Sequence, residues 1–231
     1  MSLPRVLEPE WMDSAEEALA YDTMDHREVN RRFVDDLLQV WGEHYGSESP
    51  EVEVFDAGTG TAQIPIELVS RGCGWKVVAA DAALEMLRRA RWNVQQAGYA
   101  QQITCVWHDC KTLPAAARSY DIVMSNSLLH HLPQPWAGLR TCWALVRPGG
   151  LLFMRDLLRP SSLAELEHLV QCYAGDAHPV QRQLFRASLH AALTLDELQL
   201  WIEQVGITHP RLYASSDRHW TLWAFKPPSA A

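Results

Sequence analysis

Three aspartates and a pair of glycines carry the chemistry written into this sequence. Asp56 opens the run Asp56-Ala57-Gly58-Thr59-Gly60-Thr61-Ala62, in which Gly58 and Gly60 let the backbone turn tightly and approach a ligand without an intruding Cβ. Asp81 follows Gly60 by about 20 residues, the spacing at which an acidic side chain meets the two hydroxyls of a ribose. Asp109 closes a third apolar run and suits a hydrogen bond from an exocyclic adenine amine. Taken singly, each has an ordinary structural reading: a tight turn, a helix-capping aspartate, a solvated loop acid. Together they describe one ligand with an amine, a ribose and an adenine but no phosphates. A carboxylate ahead of the glycines repels pyrophosphate, and the third glycine of a dinucleotide-binding G-x-G-x-x-G would fall at Gln63.

Such acids need strand ends to stand on. Short β-branched runs alternate with longer helical stretches, which predicts an α/β fold around a mostly parallel sheet. Strands are expected at Val52–Phe55, Lys76–Ala80, Ile103–Trp107, Asp121–Ser125 and Leu151–Arg155, the last preceded by a turn at Pro148-Gly149-Gly150. Helices are expected between them, over residues 62–71, 83–97 and 135–146. Two more strands, 208–214 and 219–226, should pair antiparallel after a helix capped by Thr194 and Glu197. Helices at 10–20 and 26–45, a linker at 46–50, and helices at 161–174 and 179–191 lie outside the core alternation. In an open α/β sheet the ligand sits beyond the carboxyl ends of the strands, where the strand order reverses.

The composition narrows the partners. A formal net charge of −8, with no run of Lys and Arg, disfavours a phosphate backbone, so no nucleic-acid partner is expected. No apolar run approaches the roughly 18 residues of a membrane span, and the first residues lack the pattern of a signal peptide. Five scattered cysteines without a C-x-x-C pair fit a reducing, cytoplasmic compartment. Most of the ten tryptophans are expected in the core. A monomer and a homodimer fit the chain equally well.

The segments VFDAGTGTAQIPIEL, VVAADAALEMLRRA, WHDCKTLP, SYDIVMSNSLLHHL and LVRPGGLLFMRD occur in the order of a known family. With Tyr21-Asp22-Thr23-Met24 upstream, the chain resembles the class I S-adenosylmethionine-dependent methyltransferases, in the small-molecule branch that includes the ubiquinone and menaquinone biosynthesis enzymes. The resemblance implies a Rossmann-like, seven-stranded, mostly parallel sheet with an antiparallel final strand and helices on both faces. It implies a helical cap over residues 1–49, a catalytic domain over 50–231 and a helical insertion at 160–192. The cofactor would be S-adenosylmethionine and the product S-adenosylhomocysteine. Asp56, Gly58 and Gly60 would hold the methionine moiety, Asp81 the ribose and Asp109 the adenine amine, with Ala82, Met86 and Cys110 along the ring. Tyr21 would reach the cofactor from the cap, and Asn126 and Ser127 would face the sulfonium and the acceptor. The chain departs from the family pattern at Ala62, where a third glycine is common.

Methyl transfer from a sulfonium is an in-line displacement, so placement of the acceptor is the main demand. His131 is the candidate base or orienting group, together with Asn126. His130, His26, Asp156 and the pair Arg182 and Arg186 are candidate acceptor contacts, the arginines only if their shared helix face points inward. The two adjacent histidines find no further ligands at metal-binding spacing, so no metal is expected. Two other readings stay open at this point: a nicotinamide-dependent oxidoreductase on the same sheet, and a cofactor-binding sensor or partner subunit without activity.

Overall fold

A computed structural model of the chain describes residues 3–8, 14–46, 51–112 and 119–228. The first part of the helix expected at 10–20 and most of the linker at 46–50 lie outside the described residues. The parallel strands are β1 (Glu53–Ala57), β2 (Lys76–Asp81), β3 (Ile103–Trp107), β4 (Tyr120–Asn126) and β5 (Val146–Leu157). They join β6 (Arg211–Ala214) and β7 (His219–Phe225) in one seven-stranded sheet of order β3-β2-β1-β4-β5-β7-β6. β7 runs antiparallel to both β5 and β6. The order reverses between β1 and β4, which opens a crevice at their carboxyl ends.

Alternation along the strands sends side chains to two cores. Ile122, Met124, Leu151 and Phe153 point to one face, against Phe33, Leu37 and Trp41 of α2 (Arg27–Tyr45), with α3 (Gln63–Ser70) and α4 (Leu84–Ala97) beside them. Val123, Leu152, Trp220 and Leu222 point to the other, against α5 (Pro135–Leu145) and α8 (Leu195–Val205). Trp41, Trp75, Trp143 and Trp220 are buried, whereas Trp92 and Trp107 are exposed. Among the described residues no helix is long and apolar enough to cross a membrane.

The turn expected at Pro148-Gly149-Gly150 is instead part of β5. The chain stays paired through it because Gly149 N–H donates to the Lys226 carbonyl at 2.8 Å, while the register against β4 shifts between Tyr120 and Ile122. Three further helices, α1 (Ala15–Asp22), α6 (Leu163–Ala174) and α7 (Pro179–Ala191), stand outside the layers. The expected capping box opens α8: Thr194 Oγ1 accepts from Glu197 N–H, and Glu197 accepts from Thr194 N–H at 2.9 Å.

Candidate active site

β1 delivers Asp56 into a left-handed turn in which Gly58 has φ +72° and Gly60 φ +55°. A Cβ on Gly58 would come within 2.7 Å of the Leu128 side chain, so the turn needs glycine for both conformation and space. Ala62, just before α3, takes φ +62°, a left-handed conformation that glycine adopts without strain and alanine does not. The turn is fastened to β2. Gly58 and Thr59 N–H both donate to the Ala80 carbonyl, and Gly60 N–H donates to Asp81 Oδ2 at 2.8 Å. The other Asp81 oxygen accepts from Ala83 N–H at 2.9 Å. One carboxylate thus aligns the glycine turn with the start of α4.

Burial raises the Asp56 carboxyl to a pKa of about 7, and the negative charge of Asp81 adds to the shift. Burial raises Asp81 as well, against the backbone N–H groups it accepts. Tyr21, at the end of α1, lies over Gly60 and against the His26 ring at 5.1 Å. Its phenol is pushed up to about 12, by burial first and then by the charges of Asp81 and Asp56. α1 is held in place by Asp22, which accepts from Gln63, from Arg89 at 2.6 Å and from Asn93 at 2.7 Å. Gln63, which breaks the dinucleotide fingerprint, therefore ties the N-terminal segment to the glycine turn.

These groups surround a cavity of about 790 Å³, the size that takes a cofactor with an acceptor beside it. Gly58, Gly60, Asp81, Ala82, Met86 and Asp109 line one side. Cys110, Asn126, Ser127, His26 and Tyr21 continue the wall, and Asp56 lines a small recess that shares Tyr21, Gly58 and Asn126 with the cavity. Around this space three buried polar atoms have no partner: Asn126 Oδ1, His26 Nε2 and His108 Nε2. Buried polar atoms are rarely left so, and their convergence on one cavity fits a polar ligand. Ser127 adds a left-handed φ of +56° at the mouth of β4, a strained conformation for a residue other than glycine.

The histidine pair follows on the 3₁₀ turn Leu129–His131. His130 is buried, with Nδ1 at 2.5 Å from Asp156 Oδ1 and Nε2 at 3.3 Å from Glu8 Oε1. His131 is 20% exposed and meets the same Glu8 oxygen through Nδ1 at 2.9 Å. Burial disfavours the His130 imidazolium, but Asp156 and Glu8 outweigh it and raise the pKa to about 9. Burial likewise opposes the Glu8 carboxylate, yet bonds from His130 and His131 hold its pKa down near 2.

Glu8 had no signal in the sequence, because it lies in an aperiodic segment whose partners are more than a hundred residues away. The segment is fixed by Arg5, which donates to the Ala191 carbonyl at 2.6 Å and to those of His130 and Leu132.

Three expected acceptor contacts are displaced. Asp156 is buried behind His130 and touches the imidazole rather than the cavity. Arg182 turns back onto the carbonyls of Ala174, Gly175 and Ala177 at the end of α6. Arg186 pairs with Glu167 at 2.7 Å on the surface. α7 faces the cavity with Gln181, Leu184, Phe185 and Ser188, so the arginines occupy its outer stripe. The arginine on the cavity wall is Arg218, stacked 3.4 Å over the Tyr173 ring.

Residues 54–150 match the family model described as a methyltransferase domain. Over 169 residues the chain is 34% identical to the malonyl-(acyl-carrier protein) O-methyltransferase of Xylella fastidiosa, covering 70% of this chain and 52% of that protein. The chain thus spans about half the length of that relative. It is 26% identical to the ubiquinone biosynthesis O-methyltransferase of Xanthomonas axonopodis pv. citri, with 78% of each covered. In structure it is similar to the plantazolicin methyltransferase BamL, solved with a triazolic desmethylPZN analog and SAH, at a TM-score of 0.72, 14% identity and 91% coverage of both chains. That last likeness concerns the fold.

Proposed function

We propose that this chain, which carries a class I S-adenosylmethionine-dependent methyltransferase domain, moves the methyl group of S-adenosylmethionine to a small-molecule acceptor and releases S-adenosylhomocysteine. The observation that carries the reading is the convergence of three strand-end acids and three unpartnered polar atoms on one recess and cavity. When bound, the cofactor supplies a methyl group on a positively charged sulfur. Asp56, Gly58, Gly60 and Tyr21 are assigned to its methionine end, and Asp81 to its ribose. Asp109 is assigned to the adenine amine, with Ala82, Met86 and Cys110 along the ring. Asn126 and Ser127 stand at the reacting end.

Most of the work asked of the protein is placement. His131 and Asn126 are assigned to the acceptor, His131 serving to draw off the proton that a hydroxyl loses on methylation. The names of the two curated relatives support an oxygen acceptor. His26 and His130 flank it, and Asp156 positions His130. Tyr173, Leu184 and Phe185 offer an apolar wall, with Arg218 as the adjacent cation. The segment before residue 50 is read as the cap, its closing parts being residues 3–8 and α1, while α2 belongs to the core. A cytoplasmic enzyme acting as a monomer or homodimer, without a nucleic-acid partner, completes the reading and fits the net charge of −8.

Calorimetric titration with S-adenosylmethionine, S-adenosylhomocysteine and NAD tests the assignment. Micromolar binding of the two sulfur nucleosides and none of NAD is expected. Binding of NAD alone would reinstate the oxidoreductase.

A further inference from the structure

Glu8, His130 and His131 bring one carboxylate oxygen and two imidazole nitrogens within 4.8 Å of one another on the wall of the cavity. We propose that these three side chains form a binding site for a divalent transition cation of the zinc class, with an open position toward the acceptor. The ligand set stands on its own geometry, and only its role toward the acceptor rests on the methyl-transfer reading.

The spacing fits the chemistry. Ligand atoms about 2.0–2.2 Å from a tetrahedral zinc lie about 3.3–3.6 Å from each other. Glu8 Oε1 is 3.3 Å from His130 Nε2 and 2.9 Å from His131 Nδ1. The surroundings have the form expected around a metal-binding histidine. His130 donates through Nδ1 to Asp156, which directs Nε2 toward Glu8 and fixes the ring. Glu8 is steadied from the other side by the Ser188 hydroxyl at 3.0 Å.

The charges agree as well. Two almost fully buried carboxylates, Glu8 and Asp156, lie against the two imidazoles, so a divalent cation bound here meets compensating negative charge. Two nitrogens and one oxygen favour zinc, cobalt or iron(II) over magnesium and calcium, which take oxygen donors. Three ligands leave one position open, and all three side chains line the cavity. A cation there would acidify an acceptor hydroxyl bound in the open position, and in that case the His131 ring holds the metal instead of taking the proton itself.

The test uses the full chain, stripped with a chelator and titrated with Zn2+ by calorimetry and with Co2+ by visible absorption. One equivalent of either metal is expected, with a tetrahedral cobalt spectrum. Glu8→Gln and His131→Ala should weaken binding at least a hundredfold, and Asp156→Asn by ten- to a hundredfold. S-adenosylhomocysteine affinity, measured on each variant, reports that the fold is kept, and Ser188→Ala provides a mild second variant with a smaller loss. Stripped wild type that binds S-adenosylhomocysteine but no stoichiometric metal overturns the cation site alone. So does metal binding that is indifferent to both Glu8→Gln and His131→Ala. Wild type that takes up one zinc but no S-adenosylhomocysteine supports the cation site and counts against the methyl-transfer reading.

Discussion

Asp56 and Asp81 sit at neighbouring strand ends, yet burial acts on them through different partners. Asp81 spends its oxygens on Gly60 and Ala83 N–H, so Asp81→Ala removes the brace of the turn together with the proposed ribose contact. That variant is expected to bind S-adenosylhomocysteine at least tenfold more weakly by calorimetry, with circular dichroism unchanged; unaltered affinity would remove Asp81 from the ribose. Asp56 has a folded pKa of about 7, whereas an unfolded aspartate titrates near 3.9. The folded protein therefore holds this proton more tightly, and the stability it contributes is complete below about pH 4 and lost as pH rises through about 7. A cationic amino group placed beside Asp56 reverses the preference and expels the proton. Titration with S-adenosylhomocysteine at pH 6 in two buffers of different ionisation enthalpy should show proton release in wild type and much less in Asp56→Asn. Equal values in both proteins would separate Asp56 from the amine. Asp81 and Asp109 were legible because a strand end fixes where a side chain goes. Glu8 was not, since nothing local marks a residue whose partners arrive from the Leu129–His131 turn and α7.

Elements were legible where the pattern is local and periodic. The amphipathic runs of α2 and α4 and the capping box of α8 needed no tertiary information. Thr194→Ala should cost about 1 kcal/mol in a denaturant titration, the usual worth of such a cap. β5 was misread at Pro148-Gly149-Gly150 because turn residues signal a break, while the partners that keep them in the sheet, Tyr120 and Lys226, lie elsewhere in the chain. The outward face of Arg182 and Arg186 was similarly hidden: spacing shows that they share a stripe but not which way it points. Arg182→Ala is expected to lower the melting temperature by freeing the α6 carbonyls while leaving cofactor affinity unchanged. A loss of affinity would return Arg182 to the site.

For the whole molecule, the N-terminal fifth has two separate tasks. α2 supplies Phe33, Leu37 and Trp41 to the core beneath the sheet, and losing such side chains costs about 3 kcal/mol or more each. Deleting residues 1–45 should therefore leave no soluble folded protein. Deleting residues 1–8 removes only the strap that carries Arg5 and Glu8. It should keep the far-ultraviolet spectrum and cofactor binding while turnover falls at least tenfold. Full activity in that shorter chain would detach the strap from the reaction.

The strap also sets an order of assembly. Arg5 reaches Ala191 across a separation of 186 residues, and on the way it grips the loop of the histidine pair. Closing so long a loop is slow compared with forming neighbouring strands and helices. During synthesis, residues 5 and 8 can meet the histidine turn once it has emerged, but their remaining partners, Ala191 and Ser188, come only with the whole of α7. A nascent chain halted before residue 191 can build the glycine turn and its acids but cannot finish the wall that faces the acceptor.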